Sequence, residues 1–157
     1  MTPEIKPNIF TLVQGSGEGF TQLNAFDQAL LNAGIGDSNL MRMSSIIPPG
    51  AKETDHIDLP PGALIPVAYG SISCSKPGQV ISAAIAVALP ELPDQPGVIM
   101  EHEDEAPLAE VKTKVHQMAA EAFRYRGRRY REIKTIGAEH HVEQHGSVIA
   151  AAVLWYR

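Results

Sequence analysis

Two segments of the chain are apolar on both faces of the strand that each would form. Residues 81–89 read Ile-Ser-Ala-Ala-Ile-Ala-Val-Ala-Leu, and residues 148–154 read Val-Ile-Ala-Ala-Ala-Val-Leu. Because successive side chains of a strand point to opposite faces, neither segment offers a face suited to water. Each sheet must therefore be covered on both sides, by a second sheet and by helices outside. The pattern predicts an α+β domain in which two sheets pack together between helices.

Two helical segments can supply the outer layers. Thr21 is a suitable cap for a helix that runs to about residue 33, and Gly34 is a suitable stop. A second helix is expected after Pro107, which suits a first turn. One face of that segment is apolar, formed by Leu108, Val111, Val115, Met118, Ala119, Ala122 and Phe123.

The other patterned segments predict about seven strands, mostly antiparallel because the turns between them are short. They cover residues 8–14, 39–47, 63–73, 79–89, 97–103, 132–142 and 147–156. The glycines of residues 15–19 are expected to form a turn, and residues 52–61 a loop. At 157 residues the chain is expected to be one domain, 1–157.

The composition of the chain limits the kinds of binding partner and the cell compartment that are expected for it. The formal net charge of −5 argues against nucleic acid and anionic membranes. The apolar stretches are too short to span a bilayer, and the N-terminus lacks the pattern of a signal peptide. A single cysteine, Cys74, excludes an intrachain disulfide and fits a reducing compartment. The expectation is a cytoplasmic protein, with Cys74 a small core residue.

Residues 39–51 contain two adjacent serines, Ser44 and Ser45, in an apolar run that ends at Pro48 and Pro49. This pattern predicts a strand that ends in a proline-stiffened bend. A strained Ser–Ser peptide beside a hydroxyl is suited to an N→O acyl shift, in which the Ser45 hydroxyl attacks the Ser44 carbonyl. Elimination and hydrolysis then leave a pyruvoyl group at residue 45. The alternative is two small polar residues at a strand end.

Asp27 falls within the apolar stripe of the first predicted helix, which is formed by Leu23, Phe26, Leu30 and Leu31. A carboxylate on a buried face is costly unless it is paired or hydrogen-bonded. One interpretation is a structural aspartate that an internal arginine or backbone amides satisfy. The other is a receptor for a ligand cation, for which a guanidinium is the natural partner.

Glu101 directly follows Met100 within a predicted strand, unlike its acidic neighbours Glu103, Asp104 and Glu105. Those neighbours are expected to lie at a solvated helix N-terminus. Desolvation in a strand could raise the pKa of Glu101 enough for it to donate a proton near neutral pH.

Two further clusters are assigned no chemistry. His140, His141 and His145 are expected to be surface or edge-strand histidines rather than metal ligands. The basic and aromatic residues 124–131 are interpreted as a solvated face or a subunit contact.

The chain resembles the pyruvoyl-dependent arginine decarboxylases. The resemblance is carried by the helix of residues 21–36, the segments 39–49, 62–70, 81–85 and 99–101, and the ending 150–156. It implies a four-layer αββα sandwich and self-cleavage into residues 1–44 and 45–157. It also implies a homotrimer with active sites between subunits.

The resemblance also implies roles for individual residues. Ser45 becomes the pyruvoyl group, and its carbonyl acts as the electron sink that pyridoxal phosphate provides elsewhere. Neither pyridoxal phosphate nor a metal is then expected. Glu101 reprotonates the α-carbon, Asp27 reads the guanidinium end of the substrate, and Asn39 lies near the pyruvoyl group in processing or positioning.

The implied reaction converts L-arginine to agmatine and CO₂, feeding polyamine synthesis. Two alternatives stay open. One is a pyruvoyl decarboxylase of another amino acid, such as histidine. The other is an unprocessed trimer with a binding or structural role and no catalysis.

Overall fold

A computed structural model of the protein describes residues 5–157. The strands of this range are β1 (Ile9–Glu18), β2 (Asn39–Arg42), β3 (Ile46–Ile47), β4 (Lys52–Glu53), β5 (Leu64–Cys74), β6 (Val80–Pro90), β7 (Gly97–Asp104), β8 (Tyr130–His141) and β9 (Gly146–Trp155). The two helices are α1 (Gln22–Asn32) and α2 (Leu108–Arg126).

The strands form two sheets. The first sheet has the order β2-β5-β9-β1-β4, and the second has the order β3-β7-β6-β8. Most neighbouring strands are antiparallel, whereas β1–β4 and β2–β5 are parallel. The second sheet is antiparallel throughout its described pairs.

The two apolar strands are covered on both faces, as the sequence predicts, and each lies in the interior of its sheet. On β6, Ile81 and Ile85 face the layer between the sheets, whereas Ala84 and Ala86 face α2. On β9, Val148 and Leu154 face the same inner layer, and the alternate residues face α1. The chain is thus one domain with four layers, α1, first sheet, second sheet and α2, and the predicted αββα sandwich is confirmed.

Helix α1 approaches the first sheet closely because small residues meet at the contact. A Cβ atom at Gly15 would collide with the backbone of Ala29, and one at Gly17 would lie 2.8 Å from Gln28 Cβ. The prediction of a turn at residues 15–19 is therefore wrong, since β1 continues to Glu18. Glycine serves close packing there rather than chain reversal.

Three other boundaries differ from the sequence predictions. The expected loop at residues 52–61 begins with the short strand β4. Strand β7 includes Glu103 and Asp104, which were expected at a helix N-terminus. The predicted strand 39–47 is divided into β2 and β3.

Neither helix of residues 5–157 is long and apolar enough to cross a membrane. Residues 1–4, part of the segment expected to carry no signal peptide, lie outside the described residues.

Candidate active site

The Ser44–Ser45 bond lies where the chain crosses from one sheet to the other. Met43 N–H still donates to Val67 O of β5 in the first sheet, at 3.2 Å. Ser45 O accepts from Ile99 N–H of β7 in the second sheet, at 2.9 Å. The prediction of one strand over residues 39–47 is wrong because its two ends belong to edge strands of different sheets. The Ser–Ser peptide is the link between them.

A tight turn forms at this link. The Ile46 N–H donates to Ser44 O at 2.8 Å, which makes a γ-turn centred on Ser45. No residue other than glycine has a positive φ among residues 5–157, so the turn is the inverse form. Neither Ser44 nor Ser45 thus adopts the left-handed backbone conformation that would indicate strain at this peptide. The turn instead places a hydrogen-bond donor on the Ser44 carbonyl oxygen.

The Ser45 hydroxyl faces a carboxylate of the neighbouring strand. Ser45 Oγ donates to Glu101 Oε2 in a long hydrogen bond of 3.4 Å. Both residues are half-buried, whereas Ser44 is exposed. The strand position expected for Glu101 is confirmed, because β7 carries it opposite Ile85 of β6. Two residues 56 positions apart in the chain thus meet at one site.

The surroundings of Glu101 favour its protonated form. Burial raises the pKa of Glu101 above its ordinary value, and the nearby Glu103 carboxylate adds to this effect. The positive charge of Arg42 and the hydrogen bond from Ser45 oppose the rise without cancelling it. A carboxyl group in this environment is suited to carry a proton at higher pH than an exposed glutamate.

Arg42 and Gly70 were not singled out from the sequence. Arg42 Nη2 donates to Tyr69 O at 2.7 Å, and its guanidinium lies 4.4 Å from the centre of the Tyr69 ring. A Cβ atom at Gly70 would lie 2.9 Å from Glu103 Oε2 and 3.3 Å from Glu101 Cβ. Gly70 therefore leaves room for the acidic side chains of β7. The sequence feature that could have drawn attention to Arg42 is its positive charge two residues before Ser44.

Asp27 does not lie on the buried face of α1. The helix buries Ala25 and Ala29, whereas Asp27 is exposed. Leu23 and Leu31, one helical turn to either side, are 75% and 47% exposed. The prediction that Asp27 falls on a buried stripe is wrong, because the small alanines make the close contact with the first sheet. Within residues 5–157, no hydrogen bond or ion pair involves the Asp27 side chain.

Asn39 lies at the opposite end of β2 from the serines. Its Nδ2 donates to Gly62 O at 3.0 Å, and its backbone N–H donates to Ala63 O at 2.8 Å. These bonds anchor the start of β2 to the segment before β5. Asn39 and Ser45 share no hydrogen bond within the described chain.

His140 and His141 lie on the edge strand β8, as predicted, whereas His145 is half-buried in the turn before β9. His140 Nε2 and Glu18 Oε2 lie 2.6 Å apart at the β8 edge, and His141 is exposed. In residues 5–157 no group of three or more acidic, histidine or cysteine side chains is arranged to hold a metal ion. Cys74 is a free, buried residue of β5.

The sequence of this chain is similar to the sequences of known proteins from one family. Residues 9–157 match the profile of the family described as pyruvoyl-dependent arginine decarboxylase. A protein of that name from Methanocaldococcus jannaschii is 50% identical over 151 residues, which cover 96% of this chain and 92% of the relative. Another, from Pyrococcus furiosus, is 37% identical over 154 residues, which cover 97% of each.

The fold has a counterpart among solved structures. A pyruvoyl-dependent histidine decarboxylase superposes with a TM-score of 0.52 over 60% of this chain and 52% of that one, at 18% identity. This structural likeness supports the sandwich architecture. The assignment to a family rests on the relatives found by sequence. The chain belongs to the pyruvoyl-dependent arginine decarboxylase family and is an enzyme of the decarboxylase class.

Proposed function

We propose that the chain cleaves itself between Ser44 and Ser45 and then converts L-arginine to agmatine and CO₂. The observation that carries this proposal is the contact of the Ser45 hydroxyl with Glu101 at a sheet-to-sheet link. Family membership supports the same chemistry.

Cleavage begins with attack of Ser45 Oγ on the Ser44 carbonyl carbon. The C–N bond between the residues breaks, and the Ser44 acyl group moves to Oγ as an ester. Loss of the Ser45 α-proton then expels the Ser44 carboxylate, and water releases the Ser45 nitrogen as ammonia. The Ile46 N–H, 2.8 Å from Ser44 O, stabilises the negative charge that develops there during the attack.

The residues around Ser45 fit a pyruvoyl group at that position. The Ile99 N–H holds the residue 45 carbonyl, which cleavage leaves unchanged. The ketone, once formed, supplies an electron sink for loss of CO₂. Glu101 then delivers a proton to the α-carbon, and its raised pKa keeps that proton available as the pH rises. The arrangement requires neither pyridoxal phosphate nor a metal.

Substrate choice rests on Asp27 in this proposal, and the site is completed by a second copy of the chain. Asp27 lies on a face of α1 with two exposed leucines, and Met41 of β2 and Leu64 of β5 are 53% and 65% exposed. Burying these apolar side chains against a partner would be favourable, because it removes them from water. In a homotrimer, a neighbouring subunit covers them and encloses Asp27. A desolvated carboxylate then pairs bidentately with the arginine guanidinium.

Asn39 is assigned a positioning role in the same assembled site, since its contact with Gly62 leaves its side-chain oxygen available. We also place the enzyme in the cytoplasm, in a pathway that consumes agmatine for polyamines. The unpaired, buried Cys74 is compatible with a reducing compartment.

A denaturing gel with mass spectrometry tests the proposal. The protein should separate into residues 1–44 and 45–157, with the second piece blocked at its N-terminus. Ser45→Ala should stay one chain and produce no agmatine. Ser44→Ala is the matched control, because it keeps both the attacking hydroxyl and the attacked carbonyl, and it should cleave. Normal decarboxylation by Ser45→Ala would refute the proposal.

A further inference from the structure

Five arginines lie within eight residues at the end of α2, in a protein of net charge −5. Four of them line a cleft of about 560 Å³ between the end of α2, the start of β8 and the loop after β6. This arginine cleft is lined by Arg124, Arg128, Arg129, Arg131, Tyr130, Phe123, Ala120 and Glu91. It shares no residue with the site around Ser45.

The arginines of the cleft differ in their partners. Arg124 donates to Glu121 at 2.6 and 2.9 Å, and Arg131 donates to Glu132 at 3.2 Å. Within residues 5–157, no side-chain hydrogen bond or ion pair involves Arg128 or Arg129. The Arg128 Nε atom is buried and lacks a partner. Two guanidinium groups thus retain unused donors, and one of these donors, the Nε of the half-buried Arg128, is shielded from water.

The local structure holds Arg128 in place. Gly127 adopts the left-handed conformation, with φ 62°, and ends α2 there. The Arg128 backbone N–H then donates to Phe123 O at 3.2 Å. The Arg128 guanidinium lies 5.7 Å from the centre of the Phe123 ring, within range of a cation–π contact. A donor already held in position costs less ordering when a ligand binds.

We propose that the arginine cleft binds a small phosphate-bearing anion. A phosphate group accepts paired hydrogen bonds from a planar guanidinium, and it would satisfy the buried Arg128 Nε. Tyr130 is 43% exposed at the cleft and packs edge-to-face with Phe123, so a base attached to the phosphate would have an aromatic side chain to contact. A nucleic acid strand is disfavoured, because Glu91, Glu121 and Glu132 flank the arginines and the whole protein is acidic.

Isothermal titration calorimetry of the purified protein tests this inference, with pyrophosphate and ATP as separate probes. Arg128→Gln and Arg129→Gln should each weaken pyrophosphate binding about 10- to 100-fold, as loss of a charged hydrogen bond does. Lys114→Gln is the matched control, because it removes one positive charge from an exposed position of α2 outside the cleft. It should leave the affinity within about twofold. Arginine decarboxylation should be unchanged in all three variants, which keeps this test separate from the proposed function.

The two probes distinguish the source of the phosphate. ATP binding at least ten times tighter than pyrophosphate would identify a nucleotide site, and equal affinities would identify a site for phosphates alone. Absence of saturable binding, or equal losses in the cleft and control variants, would overturn the inference. Tighter binding of an RNA oligonucleotide than of either probe would also overturn it. If Arg128→Gln melts below the working temperature, the exposed Arg129→Gln decides the matter.

Discussion

Removing the Ile46 N–H is expected to slow self-cleavage without moving any side chain of the site. Replacing Ile46 by its α-hydroxy acid, introduced at a suppressed stop codon, substitutes an ester oxygen for this N–H. The Ser45 hydroxyl and the Ser44 carbonyl are retained. The change removes the hydrogen bond at 2.8 Å between Ile46 N and Ser44 O, and its one side effect is that the Ser45 carbonyl becomes a weaker acceptor for Ile99 N–H.

The expected size of the effect follows from how exposed this carbonyl is. One donor aimed at a developing oxyanion is typically worth about 10²- to 10³-fold in rate. Ser44 is exposed, so water can replace part of the lost stabilisation. We therefore expect the lower end, about 10²-fold, which corresponds to about 2.7 kcal/mol of barrier.

The assay follows conversion of the full-length chain into two pieces on denaturing gels over time. Ordinary isoleucine, inserted at position 46 by the same suppression method, is the control. A melting curve shows whether the ester weakens the neighbouring bond from Ile99 N–H to Ser45 O. Cleavage within about threefold of the control, in a protein of unchanged melting temperature, would refute a role for the Ile46 N–H.

Three further predictions concern Glu101, Asp27 and Glu18. Glu101→Gln should still cleave but turn over about 10²- to 10⁴-fold more slowly, measured as agmatine release; lost cleavage would instead assign Glu101 to maturation. Its raised pKa adds a stability test in the uncleaved Ser45→Ala protein. The free energy of unfolding of this protein should fall as the pH rises through the folded pKa of Glu101. Glu101→Gln should remove that fall in melting curves. Asp27→Asn should cleave normally, weaken arginine use by about 2–5 kcal/mol and narrow the preference for arginine over citrulline. Unchanged kinetics would exclude Asp27 as the reader of the guanidinium. Burial alone would raise the pKa of Glu18, but hydrogen bonds from the backbone of Gln144 and Glu143 and from His140 hold it below its ordinary value. The contribution of Glu18 to the free energy of unfolding should thus be complete above its unfolded pKa of about 4.3. It should disappear as the pH falls through the lower folded pKa. Glu18→Gln should cost about 1–3 kcal/mol at pH 7 by denaturant unfolding, whereas the exposed control Glu143→Gln should cost less than about 0.5 kcal/mol. Equal losses in the two variants would contradict this account.

The layers of the fold could be predicted because two strands lack any polar face. Residues 81–89 and 148–154 require cover on both sides, whatever their neighbours are, and the structure buries both segments throughout. The division of residues 39–47 could not be predicted in this way. An apolar run has the same pattern whether it stays in one sheet or crosses to the next, and only the partners Val67 and Ile99 reveal the crossing.

Asp27 shows why a helical stripe can be misassigned. Leu23 and Leu31 have the spacing of core residues, yet they face outward because Ala25 and Ala29 make the close contact with the sheet. The signal in the sequence was the set of glycines opposite those alanines, with Gly15 and Gly17 against Ala29 and Gly19 against Ala25. The contact of Ser45 with Glu101 depends on pairing between β3 and β7, which no local pattern encodes.

The position of β1 determines what the protein becomes once the proposed cut is made. Residues 1–44 contain β1, which lies between β9 and β4 and pairs with β9 from Ile9–Trp155 to Glu18–Gly146. The shorter piece, which also carries α1 and β2, would thus still supply an interior strand to a sheet whose other strands are mostly in the longer piece. Neither piece could leave without exposing Phe10 and the core around it. Each subunit of the mature trimer would consist of two chains from one gene product, and these chains would already be interleaved when the bond between them is cut. Chains expressed separately as 1–44 and 45–157 would have to find each other and fold jointly, and even then would lack the serine-to-serine peptide from which the ketone is made.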